Sequence, residues 1–360
     1  MKTIISQRWI IFSIVASSYF LSFFHRTAPA ALSQELITAF KASSISLGVL
    51  GGVYYYLYLA LQLPTGVMVD AFGPRKILII SGVAAGIGSI LFGFAPTFLF
   101  ALAGRALVGL GVSVVFISLL KLNSHWFSAK EFASMTGLTV LLGNLGAVSS
   151  AKPLAFIITI IPWRYVFISL GAFSIFLSLM TFLFVQNHPF SHFKSSKQPL
   201  EHTKRNSNYW YLNLLQTVKN PRIWPGFVLI FGSGGSFLTF AGLWGVPYLI
   251  DKLNCSNTVA VNHTTLMLLG MAVGSLLIGL YSDKTRKRKH PAIATQALFL
   301  CCWGILIFSS PPLSLSYPLL FFAGFFGSGF TLSWTSAKDN APHHLSGTAM
   351  SLVNCGAFLG

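Results

Sequence analysis

Apolar runs of bilayer-crossing length recur along the chain, at 9–32, 46–69, 77–94, 97–120, 132–158, 163–186, 224–250, 263–281, 291–310 and 313–337. An eleventh begins near Gly347. A hydrocarbon core about 30 Å thick takes roughly 20 apolar residues of α-helix to cross. Inside it every backbone N–H and C=O must find a partner within the protein, so each run predicts a helix. The expected fold class is therefore an all-α membrane protein. Between the sixth and seventh runs lies a polar stretch, Asn187 to Arg222, with Lys194, Lys197, Lys204, Arg205, Lys219 and Arg222. It predicts a bundle of six helices over 1–186, a basic linker over 187–222 and a second bundle over 223–360.

The halves look duplicated, as in many transporters. The stretch from Gly66 to Lys76, G-V-M-V-D-A-F-G-P-R-K, returns as G-L-Y-S-D-K-T-R-K-R-K from Gly279, with Asp283 in the place of Asp70. Gly137, Asn144 and Gly146 share their spacing with Gly347, Asn354 and Gly356. Gly104 and Gly109 match Gly324 and Gly329, with Phe325 in the place of Arg105. The duplication predicts two pseudo-symmetric six-helix bundles, the second incomplete. The eleventh run holds about 14 residues, or roughly 21 Å of helix, so the chain is expected to end inside a helix and to lack a twelfth.

Composition and charge sharpen this pattern. The chain is 54% hydrophobic and 9% charged, against about a quarter charged in soluble domains. Lys and Arg number 24 against 7 acids, a formal net charge of +17. The cations cluster in alternate loops: Lys2 and Arg8, Arg75 and Lys76, Lys121 and Lys130, the linker, Lys284 to Lys289, and Lys338. That asymmetry is the positive-inside signal, and it displaces nucleic-acid binding as the reason for the charge. It places the N-terminus in the cytoplasm and Lys41, Arg164 and Lys252 outside. No cleavage site follows the first run, which is read as a retained helix. Cys301, Cys302 and Cys355 lie in apolar runs and Cys255 is alone in a loop, so no disulfide framework is expected.

The motifs resemble the major facilitator superfamily. Gly66, Asp70, Gly73, Arg75 and Lys76 fit the loop between its second and third helices, although Ala71 stands where that family usually has a cation. Arg105, Gly109 and Gly111 resemble its fourth-helix motif, and Trp163, Arg164 and Phe167 the start of its sixth helix. The resemblance implies a monomeric transporter of a small solute, of bacterial inner-membrane type, working by alternating access. It also implies that Gly66, Asp70, Gly73, Arg75, Lys76 and Asp283 form a conformational latch. The first helix and the two G-N-x-G segments are similar to bacterial nitrate and metabolite porters. Runs two and eight hold no arginine, which argues against nitrate.

Charge within a span is costly and marks function. The candidates for substrate contact are His25, Arg26, Arg105 and Lys152, with Tyr55, Asn144 and Asn354 as softer ones. At 1.5 Å per residue Arg26, Arg105 and Lys152 lie about 9–12 Å below one helix end. Clustered cations favour an anionic or carboxylate-bearing substrate, an organic anion or an amino acid. Competing roles are snorkelling for Arg26 and Lys152, packing for Arg105, and a structural hydrogen bond or a proton relay for His25. No acid lies deep in a span, so symport with a proton or ion must use His25, an edge acid or the substrate's own charge. Gly232, Gly234, Gly235 and Pro247 predict a kinkable seventh helix. No Walker sequence, catalytic constellation or metal-ligand set is present, so neither an enzyme nor a cofactor is expected. A drug exporter and a non-transporting remnant remain alternatives.

Overall fold

The computed structural model describes residues 2–150, 152–189, 210–309 and 311–360. Most of the basic linker, including Lys194, Lys197, Lys204 and Arg205, lies outside the described residues. Among those described, the regular structure is entirely helical. Among the described residues nine helical spans are long and apolar enough to cross a membrane, with Phe98–Trp126 and Leu313–Asp339 each counted as one. The helices are α1 (Lys2–Ala31), α2 (Ser33–Phe40), α3 (Ser44–Phe72), α4 (Pro74–Phe94), α5 (Phe98–Val112), α6 (Val115–Trp126), α7 (Phe132–Ser149), α8 (Lys152–Ile160) and α9 (Trp163–Phe184). They continue as α10 (Trp210–Val218), α11 (Trp224–Leu229), α12 (Gly235–Thr239), α13 (Gly245–Leu253), α14 (Asn257–Thr285), α15 (Lys289–Phe308), α16 (Leu313–Gly327), α17 (Leu332–Asp339) and α18 (Ser346–Leu359).

The chain divides into two compact units, Met1–Trp126 with Leu142–Leu215, and Phe127–Leu141 with Gln216–Gly360. In the first, α4 is pressed between α5 and α9 at bare backbone. A Cβ on Gly88 would stand 2.8 Å from the Gly104 carbonyl, and one on Gly104 equally close to the Gly88 carbonyl. Small residues let apolar helices approach this closely, and hydroxyls then bridge them. Ser89 Oγ donates to the Phe167 carbonyl at 2.7 Å and Ser178 Oγ to that of Ile79 at 2.7 Å. At one end of this unit Phe24, Leu32, Leu50, Phe92, Trp163 and Phe167 form a buried apolar cluster.

Several runs resolve into more than one element. The fifth run is not one helix over 132–158: α7 stops at Ser149 and α8 starts at Lys152. Pro153 has no N–H to give and its ring crowds the carbonyl four residues back, which breaks the helix there. The seventh run carries two π segments, Ile230–Gly234 and Phe240–Trp244, flanking α12. Here the expected weakness at Gly232 to Gly235 coincides with widened turns. The tenth run passes through a 3-10 turn, Ser328–Thr331, between α16 and α17.

Candidate functional site

In the first unit, α1, α3 and α5 bring His25, Tyr54 and Arg105 together. Arg105 is 1% exposed, and so are Tyr54 and His25. Its Nη1 donates to the His25 carbonyl at 2.7 Å. The guanidinium lies 5.2 Å from the centre of the Tyr54 ring and 6.0 Å from that of Phe92. Arg105 Nε is buried without a hydrogen-bond partner. Among the described residues no carboxylate pairs with Arg105. A buried cation with aromatic faces and one carbonyl has part of its desolvation cost restored by cation–π attraction, but its charge is not neutralised.

His25 adds to this imbalance. Both ring nitrogens are buried without partners, and the ring is tilted against Phe167 with centroids 6.0 Å apart. Next along α1, Arg26 is half-buried, with its guanidinium 4.9 Å from the Tyr55 ring and 5.5 Å from that of Phe23. Tyr54 is held by its hydroxyl, which donates to the Ser22 carbonyl at 3.1 Å. The tyrosines of α3 divide as a helix requires: Tyr54 and Tyr58 are buried, Tyr55 is partly exposed and Tyr56 faces outward. The later part of α7 packs on α1 here. A Cβ on Gly143 would meet Tyr19 at 2.6 Å, and Thr27 and Ser150 share a hydroxyl contact of 2.5 Å. Asn144, also buried, lies in this stretch.

Thus His25, Arg26, Arg105, Tyr55 and Asn144 all belong to the first unit. Asn354 belongs to the second, where its Oδ1 accepts from Trp334 Nε1 at 3.2 Å. The Lys152 side chain lies outside the described residues. Tyr54, which meets Arg105 directly, was one of four clustered tyrosines and had no feature in the sequence to single it out from Tyr55.

The two repeated loops are wired differently. In the first unit, Lys121 Nζ donates to Asp70 Oδ1 at 2.7 Å, and both side chains are buried. Gly73 ends α3 with φ +82°, a conformation that disfavours a side chain. Arg75 then reaches the end of α9, its N–H donating to Asn187 Oδ1 at 3.0 Å and its Nη2 to the Phe182 carbonyl at 2.6 Å. Lys76 stands over Phe72, and Gly66 is interior to α3. In the second unit Asp283 caps the start of α7. It accepts from Ser134 N–H and Oγ at 2.6 Å each, and from Arg288 Nη1 at 2.7 Å. An acid at a helix N-terminus meets unpaired N–H groups and the positive end of the dipole. The Lys121 partner was missed because the fourth span runs on to Trp126, which places Lys121 inside it rather than in a loop.

Residues 15–360 match the family described as Major Facilitator Superfamily. The protein named Probable sulfoacetate transporter SauU, of Cupriavidus necator, is 26% identical, over 99% of this chain and 85% of that protein. The D-galactonate transporter of Escherichia coli is 23% identical, over 98% of this chain and 86% of that protein. Among solved structures, the transporter FucP in the outward conformation aligns with a TM-score of 0.76 at 13% identity, over 98% of this chain and 91% of that one. The chain belongs to the Major Facilitator Superfamily and is a multi-pass membrane protein.

Proposed function

We propose that this member of the superfamily is a secondary transporter of a small organic anion, one carrying a carboxylate or sulfonate, and that Arg26 and Arg105 receive the anionic group. The observation that carries this reading is Arg105: a cation 1% exposed, with no carboxylate paired to it among the described residues. Such a charge is expensive in a membrane unless an anion completes it. His25 contributes two unpartnered ring nitrogens beside it, and Tyr55 and Asn144 complete the polar lining. The transporters of sulfoacetate and D-galactonate to which the chain is similar are named for organic anions, which supports the same class. A cationic drug would meet repulsion at Arg105, so export of such compounds is the weaker reading.

In this account the cycle is one of alternating access, in a bacterial inner membrane with the N-terminus in the cytoplasm. A coupling proton or ion accompanies the solute. The monomer suffices, since all the named anion-binding groups lie in one chain. Asp70 with Lys121, and Asp283 with Ser134 and Arg288, act as latches, because each holds a charged group against a helix or loop that must move. Lys152 is assigned a lesser contact with the solute, while Asn354 is engaged by Trp334 Nε1 within the second unit. The test is uptake into proteoliposomes of labelled sulfonates, sugar acids and amino acids. Saturable uptake of an anion, lost on Arg105→Ala, is expected. Uptake restricted to cationic dyes, or an equal rate in Arg105→Ala, would remove the anion site.

A further inference from the structure

α1 runs from Lys2 to Ala31 with Pro29 inside it. In an α-helix each carbonyl accepts from the N–H four residues further on. For His25 that residue is Pro29, which has no N–H to give. His25 stands six residues before the helix end, so its carbonyl is not one of the four that every helix leaves open there. The proline ring also crowds the carbonyl four residues back and turns it away from the helix axis. Pro29 thus creates an acceptor that its own helix cannot serve, and that acceptor is the carbonyl to which Arg105 donates.

Two side chains from neighbouring helices reach carbonyls of α1, and they differ in a telling way. The Tyr54 hydroxyl donates to the Ser22 carbonyl at 3.1 Å. Four residues after Ser22 comes Arg26, which has an N–H, so the hydroxyl is a second partner to that carbonyl. Arg105 Nη1 donates to the His25 carbonyl at 2.7 Å. The shorter, charge-assisted bond goes to the carbonyl that lacks a helical donor. We propose, resting on the anion reading above, that Pro29 is a positioning residue for the anion site. By withholding the N–H that would occupy the His25 carbonyl, it anchors the Arg105 guanidinium through Nη1 and leaves the opposite edge to the solute.

The shape of a guanidinium decides which edge is left. Nη1 lies on the side of Cδ, so Nε–H and Nη2 form the other edge, the fork that grips a carboxylate with two parallel bonds. Arg105 Nε is buried without a partner, so this edge is not committed within the protein. The ring faces of Tyr54 and Phe92, at 5.2 and 6.0 Å, limit how the plane can tilt. Tyr54 is itself braced: a Cβ on Gly109 would stand 3.3 Å from its Cα, so α5 bears on α3 at this residue. With a backbone N–H at position 29, Nη1 would compete for its acceptor, and a long side chain would regain the rotamers that the anchor removes.

The first test is Pro29→Ala in the full chain, which returns the missing N–H. Alanine favours a helix where proline opposes it, so the variant should unfold at or above the wild-type temperature. Its affinity for a small sulfonate or sugar acid in calorimetry should nevertheless fall about tenfold. A proline with a merely structural role would not weaken binding while stability holds or rises. Equal affinity in the folded variant overturns the proposal, and Pro29→Ser restores the N–H in the same way should the alanine variant not fold. The second test needs no anion. His25–Arg26 is the only His-Arg step in the sequence, so 13C in histidine carbonyls with 15N in arginine selects this one carbonyl by NMR in lipid. Its shift should move on Arg105→Gln when Pro29 is present and stay in place when position 29 carries an N–H. No movement in the wild-type background, or equal movement in both, overturns the proposal. Absence of anion binding in wild type would sink the anion reading, and the carbonyl shift would still decide whether Pro29 anchors Arg105.

Discussion

Among the described residues two histidine rings are fully buried, one in each unit, and their ring nitrogens are treated in opposite ways. His25 has neither nitrogen partnered, while its carbonyl holds Arg105. His263 has an oxygen on each nitrogen, at 2.7 Å in both cases. A buried polar atom left without a partner costs about 1–3 kcal/mol, and His25 retains two. A position that served packing alone would be better filled by carbon. The first unit therefore keeps unused hydrogen-bonding capacity beside a buried cation, whereas the second commits its histidine to joining two helices. The contrast sets a ring whose nitrogens have no partner against a ring engaged by the fold, and the proposed anion site draws on the first.

The largest effect that would test this contrast lies at Arg105. Arg105→Ala should lower anion uptake by on the order of a hundredfold, the equivalent of about 3 kcal/mol for truncating a buried charged partner. Arg105→Lys should not restore it, because a lysine cannot reach the His25 carbonyl and lie across Tyr54 with the same planar fork. Next in size is His263→Leu, which removes both ring hydrogen bonds and leaves Ser316 without the ring. Unfolding in detergent should show a loss of about 2 kcal/mol. Arg26 is half-buried against ring faces, so Arg26→Ala should reduce uptake only about tenfold, near 1 kcal/mol. The smallest shift is expected at His25→Leu, where two unpartnered nitrogens disappear. Its unfolding midpoint should stay within about 0.5 kcal/mol of wild type or rise. A loss there as large as at His263→Leu would erase the contrast.

Much of the fold was legible in the sequence because the bilayer imposes a length on every span. The apolar runs, the two Gly-Asp loops and an irregular seventh helix could all be read from spacing. Boundaries were harder. The apolar run spans 263–281, but α14 begins at Asn257, capped by Ser256 Oγ accepting from the Val259 N–H. His263 therefore stands within the helix rather than at its edge, and a Ser-Asn start of this kind was the available signal. At the anion-binding candidates, the cations could be identified by residue type alone. The bond from Arg105 to a backbone carbonyl on α1 could not, since a carbonyl has no residue identity. The different partners of Asp70 and Asp283 were equally hidden: identical spacing in two loops says nothing of whether a lysine or a helix start lies opposite.

The most direct measurement of the central claim is calorimetric binding of a small sulfonate and a small sugar acid to the purified chain, in wild type and in Arg105→Ala. Binding of at least one of these anions to wild type is expected, weakened on the order of a hundredfold in Arg105→Ala. Equal affinity in the two proteins would contradict it.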